Sequence, residues 1–181
     1  YNAEIKFEES LKLGNKKNLA VLATGSGKTY LACLASYRLL NYTSTKRILF
    51  LVDRNNLARQ TETEFSLFDR TENQMRMGDL YTINRLKKET DIKSDIVIST
   101  IQKLFAVLTG QDIQEGNEDA EDEIAKNDEE KDNNEVVELG DDLKLPPDYF
   151  QLIIVDECHR SIYNVWSQVL SYQFMVSGKK Y

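Results

Sequence analysis

Leu19-Ala20-Val21-Leu22-Ala23-Thr24-Gly25-Ser26-Gly27-Lys28-Thr29 is the stretch on which the fold turns. Five apolar residues run straight into a turn with two glycines, and a helix-like pattern opens at Lys28. A buried strand, a glycine turn and a helix in that order are the context of a phosphate-binding loop. Gly25 and Gly27 allow the backbone to curl and approach an anion closely, and the successive amides plus the positive end of the following helix make a site for it. In that arrangement Thr24, Gly25, Ser26 and Gly27 supply the cradle and Lys28 bridges the β and γ phosphates of a nucleotide. Thr29 offers a hydroxyl to Mg²⁺, an ion that keeps most of its waters and needs few protein oxygens. Leu22 stands where the strict GxxxxGK[ST] pattern has its first glycine, so the loop is a variant, and a plain Gly-Ser turn is the competing reading.

Working outward, short runs rich in Val, Ile and Leu recur at residues 48–52, 95–99 and 152–155. Helix-like spacings at residues 28–40, 55–68 and 101–108 separate them. Together with residues 19–23 this β-α-β alternation predicts an α/β fold, a mostly parallel sheet with helices on both faces. A chain of 181 residues suits one such domain. Its longest aliphatic-aromatic run, at residues 48–52, is far short of the ~20 residues that cross a bilayer. The start, Tyr1-Asn2-Ala3-Glu4-Ile5-Lys6, has neither a basic head nor an apolar stretch, so a cytoplasmic location is expected. Cys33 and Cys158 are too few and too far apart for a disulfide framework or a zinc pair. Cys33, on a mostly apolar helical stretch, reads as a small core residue.

A net charge of −7 speaks against nucleic acid as a partner, but it is unevenly placed. Residues 111–148 hold 16 Asp and Glu against 3 Lys, which leaves 20 basic and 14 acidic residues elsewhere, so the remainder is basic. The acidic stretch has too few apolar residues to offset the entropy of ordering it and reads as a solvated insertion. Pro146-Pro147 bars a helix from running on, and order is expected to resume near Tyr149.

A second chemical signal follows the last apolar run. Gln151-Leu152-Ile153-Ile154-Val155 leads directly into Asp156-Glu157-Cys158-His159. That sets two carboxylates at the carboxyl end of a buried strand, where ligands bind in open α/β sheets. Asp156 can hold Mg²⁺ directly or through water, Glu157 can orient and polarise an attacking water, and His159 can sense the γ-phosphate. The structural alternative makes Asp156 and Glu157 caps of the next helix and His159 a surface residue.

The loop and the carboxylate pair resemble motifs I and II of superfamily 2 helicases and translocases of the DExH type. Ile48-Leu49-Phe50-Leu51-Val52-Asp53-Arg54-Asn55-Asn56-Leu57-Ala58-Arg59-Gln60 is similar to motif Ia of the motor subunit of type I restriction enzymes. Ser99-Thr100-Ile101-Gln102-Lys103-Leu104 is similar to its motif Ib. Asp156-Glu157-Cys158-His159-Arg160-Ser161-Ile162-Tyr163-Asn164-Val165-Trp166 follows that subunit beyond the generic helicase box. The resemblance implies a RecA-like first motor lobe over residues 1–181 that binds ATP and Mg²⁺ and drives translocation along double-stranded DNA. It implies modification and specificity subunits as partners, and a second RecA-like lobe and a nuclease domain that are not recognisable in this chain. No membrane partner is implied.

The resemblance further implies that motifs Ia and Ib hold DNA phosphates rather than bases, through Arg54, Asn55, Arg59, Thr100 and Gln102. Helix capping by Asn55 or Thr100, and solvent exposure of the arginines, is the bland counterpart. Tyr1-Asn2 stands where relatives have a Tyr-Gln pair against adenine, and Asn2 is one methylene shorter. A P-loop small-molecule kinase would use the same loop but would need an arginine-bearing lid, which the residues after Glu157 do not suggest.

Overall fold

Ile48–Val52 forms strand β1, buried at all five positions. The computed structural model of the chain describes residues 2–23, 25–72, 74–111 and 144–156. Before β1 come helix α1 (Asn2–Lys12) and helix α2 (Lys28–Tyr42). After it come α3 (Asn55–Leu67), the single turn α4 (Met77–Leu80) and β2 (Ile83–Arg85). A 3₁₀ turn (Glu89–Lys93), β3 (Ile96–Thr100), α5 (Ile101–Thr109) and β4 (Leu152–Val155) complete the described elements.

The four strands pair in the order β2-β3-β1-β4, and every pairing is parallel. Ile48 lies opposite Ile96 on one side and Leu152 on the other, while Ile83 lies opposite Ile96 from the far side. Successive side chains of a strand face opposite ways, so β1 feeds two cores at once. Ile48, Phe50 and Val52 join Ile96 and Ile98 beneath α2 and α3, with Cys33, Tyr37 and Phe65 filling that layer. Leu49 and Leu51 join Val97 on the opposite face, under Leu104 and Leu108 of α5. The α/β expectation of a mostly parallel sheet with helices on both faces is therefore met. β1 is a continuous apolar run, and β3 is one as far as Ile98, because both their faces are covered.

One expected strand does not form. Residues 19–23 are irregular, with Leu19 at 74% and Val21 at 87% exposure. An apolar run is stabilised as a strand only when a neighbour takes up its backbone hydrogen bonds, and this segment pairs with none of the four described strands. β4 is correspondingly the terminal described strand, half-buried at every position. β2, three residues long, was not anticipated by the sequence reading.

The packed chain also resumes earlier than Tyr149. The Lys144 amide donates to the Leu108 carbonyl at 3.1 Å, its ammonium lies 3.3 Å from Glu89, and Leu145 is buried in the α5 core. Pro146 then turns the chain, its carbonyl accepting from the Tyr149 amide. The rest of the acidic insertion, residues 112–143, lies outside the described residues. No helix among the described residues is long and apolar enough to cross a membrane.

Candidate functional site

Gly25 has φ 73° and Gly27, the residue before α2, has φ 88°. Both are left-handed, a conformation that costs other residues roughly 1–2 kcal/mol. A Cβ would meet nothing within 4 Å at Gly25 and only the Tyr30 Cβ at 3.6 Å at Gly27, so backbone conformation and not crowding demands glycine at both. Ser26 closes the loop on itself, its amide and hydroxyl both donating to the Ala23 carbonyl. The Gly27 carbonyl accepts from the Leu31 amide at 2.9 Å and so starts the helix. Lys28 and Thr29 are half-buried in its first turn. Thr24 lies outside the described residues.

The position of α2 is set by packing further along. Tyr30 meets Phe68, just past the end of α3, edge-on at 5.5 Å, and the Tyr37 hydroxyl accepts from the Glu72 amide. Arg38 pairs with both Glu4 and Glu8 of α1. Cys33 is 2% exposed in the layer between α2 and the sheet, and burial pushes its thiol up to about 12 with Glu64 adding to the effect. It stays protonated and unreactive at neutral pH, in agreement with a core role.

Asp156 directly follows β4, and its amide donates to the Leu51 carbonyl of β1 at 3.0 Å. Its backbone is thus held at the carboxyl end of the sheet, next to β1. Glu157 and His159, and the Tyr1-Asn2 side chains, lie outside the described residues.

The motif Ia and Ib candidates are brought together in part. Register sets Val52 opposite Thr100, so the start of α3 and the start of α5 lie side by side. Asn55 (6% exposed) and Thr100 (5% exposed) both line one small cleft. Thr100 also caps α5, its hydroxyl accepting from the Lys103 amide at 3.5 Å. Arg54 is not among the lining residues and pairs with Asp53 at 3.2 Å. Arg59 and Gln102 are exposed on the first turns of α3 and α5, outside the lining.

The cleft holds three cations that the sequence reading did not single out: Arg85, Lys87 and Lys103. Arg85 and Lys87 come from the end of β2, which pairs with β3 so that Arg85 faces Ile98. The Leu86 amide donates to the Ile98 carbonyl and extends the pairing by one residue. The pattern Ile83-Asn84-Arg85-Leu86 ahead of Lys87-Lys88 was the available signal, short though it is.

The sequence pattern of the family described as "Type III restriction enzyme, res subunit" matches residues 2–177, almost the whole chain. The chain belongs to this restriction-enzyme family. Its sequence is 30% identical over 168 residues to the type I restriction enzyme EcoAI endonuclease subunit of Escherichia coli, covering 91% of this chain and 16% of that protein. It is 31% identical over 111 residues to the SauCOLORF180P endonuclease subunit of Staphylococcus aureus strain COL, covering 61% of this chain and 11% of that one. Among solved structures, a nuclease-deletion mutant of the type ISP restriction-modification enzyme LlaGI, in complex with a DNA substrate mimic, matches with a TM-score of 0.50. It covers 95% of this chain and 16% of LlaGI at 18% identity, which speaks to the fold alone. The expected likeness to type I restriction-enzyme subunits and the RecA-like α/β fold both hold. The chain spans about a sixth or less of the length of these relatives.

Proposed function

We propose that this chain is the ATP-binding first motor lobe of a type I restriction enzyme R subunit, one that couples ATP hydrolysis to movement along double-stranded DNA. Modification and specificity subunits, a second RecA-like lobe and a separate nuclease domain complete that reading. The observation that carries it is the loop: two left-handed glycines deliver Lys28 and Thr29 to the first turn of a 15-residue helix.

The residues suit Mg²⁺ and ATP chemically. Left-handed glycines give the loop the curled backbone that an anion cradle uses, and the Thr29 hydroxyl with the Asp156 carboxylate form a hard-oxygen donor set of the kind Mg²⁺ takes. When bound, MgATP supplies the activated phosphoryl group. Lys28 balances phosphate charge, the backbone from Thr24 to Gly27 cradles it, and Asp156 with Thr29 orients the ion. Glu157 positions the attacking water, and His159 relays the state of the γ-phosphate. Arg54, Asn55, Arg59, Thr100 and Gln102 hold DNA phosphates in this reading.

Binding of a fluorescent ATP analogue and ATPase assays with and without duplex DNA test it. Lys28→Ala should abolish nucleotide binding, Glu157→Gln should keep it and stall turnover, and duplex DNA should stimulate the native chain. Equal loss of affinity in both variants contradicts the assigned roles. Stimulation by a small acceptor in place of DNA points to the kinase reading.

A further inference from the structure

The place of Asp156 depends on the register of β4 against β1, and the side chains of β4 set that register only weakly. Leu152, Ile153, Ile154 and Val155 are all apolar and all half-buried. A slip of two residues therefore keeps each side chain on its face and exchanges one aliphatic group for another. Such a slip would carry Asp156 about 6.6 Å along the sheet. In a hairpin the tight turn fixes register, but β4 is joined to α5 by residues 110–151, far too long a connection to act in that way.

Gln151, just before β4, supplies the missing constraint. Its Oε1 accepts from the Arg47 amide at 2.8 Å and from the Lys46 amide at 3.1 Å, while its own amide donates to the Arg47 carbonyl at 3.0 Å. Its Nε2 donates to the Asp148 and Tyr149 carbonyls, both at 3.3 Å, which ties the side chain to the segment entering the strand. The Arg47 guanidinium lies over the Tyr149 ring at 4.5 Å and reinforces the same alignment. The next amide along β1, that of Ile48, donates to the Asp95 carbonyl at 2.8 Å. A Gln151 shifted up β1 would lose both of its accepted bonds and meet an amide already committed. At the other end of this four-residue strand, the Asp156 amide donates to the Leu51 carbonyl.

We infer that Gln151 is a positioning residue: its carboxamide clasps the Lys46 and Arg47 amides, fixes the register of β4 and so holds Asp156 at the end of the sheet where the proposed Mg²⁺ site needs it. The inference rests on the motor reading only for the task given to Asp156.

Hydrogen exchange at the Asp156 amide, followed by NMR, tests the clasp with no nucleotide present. Gln151→Ala should speed exchange there about tenfold, the worth of about one net hydrogen bond, while the β3 amides stay as slow as in the native chain. Gln151→Glu keeps an acceptor at the same reach and should restore slow exchange. Tyr149→Phe removes a neighbouring bond, from its hydroxyl to the Ile92 carbonyl at 3.2 Å, and should leave exchange at Asp156 unchanged. The second readout is the Mg²⁺ concentration that half-saturates binding of a fluorescent ATP analogue. It should rise severalfold in Gln151→Ala, rise at least as far in Asp156→Asn, and stay native in Gln151→Glu and Tyr149→Phe. Native exchange at Asp156 in Gln151→Ala, faster exchange spread evenly over β1 and β3, or no rescue by Gln151→Glu overturns the clasp. A Mg²⁺ demand that rises in Asp156→Asn but not in Gln151→Ala overturns the positioning role and leaves the motor reading intact. Unchanged demand in Asp156→Asn overturns that reading's use of Asp156, and the exchange result still decides the clasp.

Discussion

Removing the Glu62 carboxylate should loosen β2 from α3, and the structure sets the size of the effect. Glu62 holds the Arg85 side chain at 2.8 Å and its amide at 3.1 Å. The Arg85 side chain is 11% exposed and that of Glu62 27%. Breaking a fully buried pair costs about 3–5 kcal/mol because one charge is left uncompensated, whereas a hydrogen bond to a charged group contributes about 1.5–3 kcal/mol. Water reaches Glu62, which places Glu62→Ala near the lower range, at about 2 kcal/mol. Glu62→Gln keeps an acceptor oxygen and should lose about half of that. In urea, with a slope of about 1–3 kcal/mol per molar, Glu62→Ala should move the midpoint down by roughly 1 M without changing the slope. A double-mutant cycle with Arg85→Met isolates the pair. A loss below about 0.5 kcal/mol, the range of ordinary surface substitutions, or no coupling to Arg85, would show that the ion pair does not anchor β2.

Three further outcomes are expected. The Cys33 thiol is raised from 9.0 to about 12, so its contribution to stability is whole below pH 9 and is lost as the pH climbs toward 12; at about 1.4 kcal/mol per pH unit, the native chain should lose about 2–3 kcal/mol more than Cys33→Ala between pH 9 and 11 in urea titrations, and parallel curves would contradict the burial argument. A non-hydrolysable ATP analogue should slow hydrogen exchange at the amides of residues 25–28, which cradle its phosphates in this reading, and unchanged exchange at saturating analogue would rule out that cradle. Gly27→Ala should lower the urea midpoint by roughly 0.5–1 M through about 1–2 kcal/mol of left-handed strain, with no clash added because its Cβ meets only the Tyr30 Cβ at 3.6 Å; a collapse of the fold would mean that the glycine serves packing.

The sheet was largely legible because β1 and β3 are buried on both faces, and β1 throughout and β3 as far as Ile98 are accordingly apolar. Ile48–Val52 could be read to the residue for that reason. Residues 19–23 carry the same composition and do not pair, since an apolar run states that a segment can be buried and says nothing of which neighbour will take its hydrogen bonds. β2 went unread because three residues are too few for a period to declare itself.

The glycine loop is a local matter. Its left-handed conformations follow from residues adjacent in the chain, so sequence alone determined that Lys28 and Thr29 open a helix behind a curled backbone. The same is true of the apolar strand that presents Asp156. The cationic cleft belongs to the tertiary structure: Lys87 and Lys103 are separated along the chain by the 3₁₀ turn and the whole of β3, and only the β2-β3 pairing brings them to one wall beside Asn55. Strand order is fixed by which faces can be covered together, a condition on the whole packed sheet that no single segment carries.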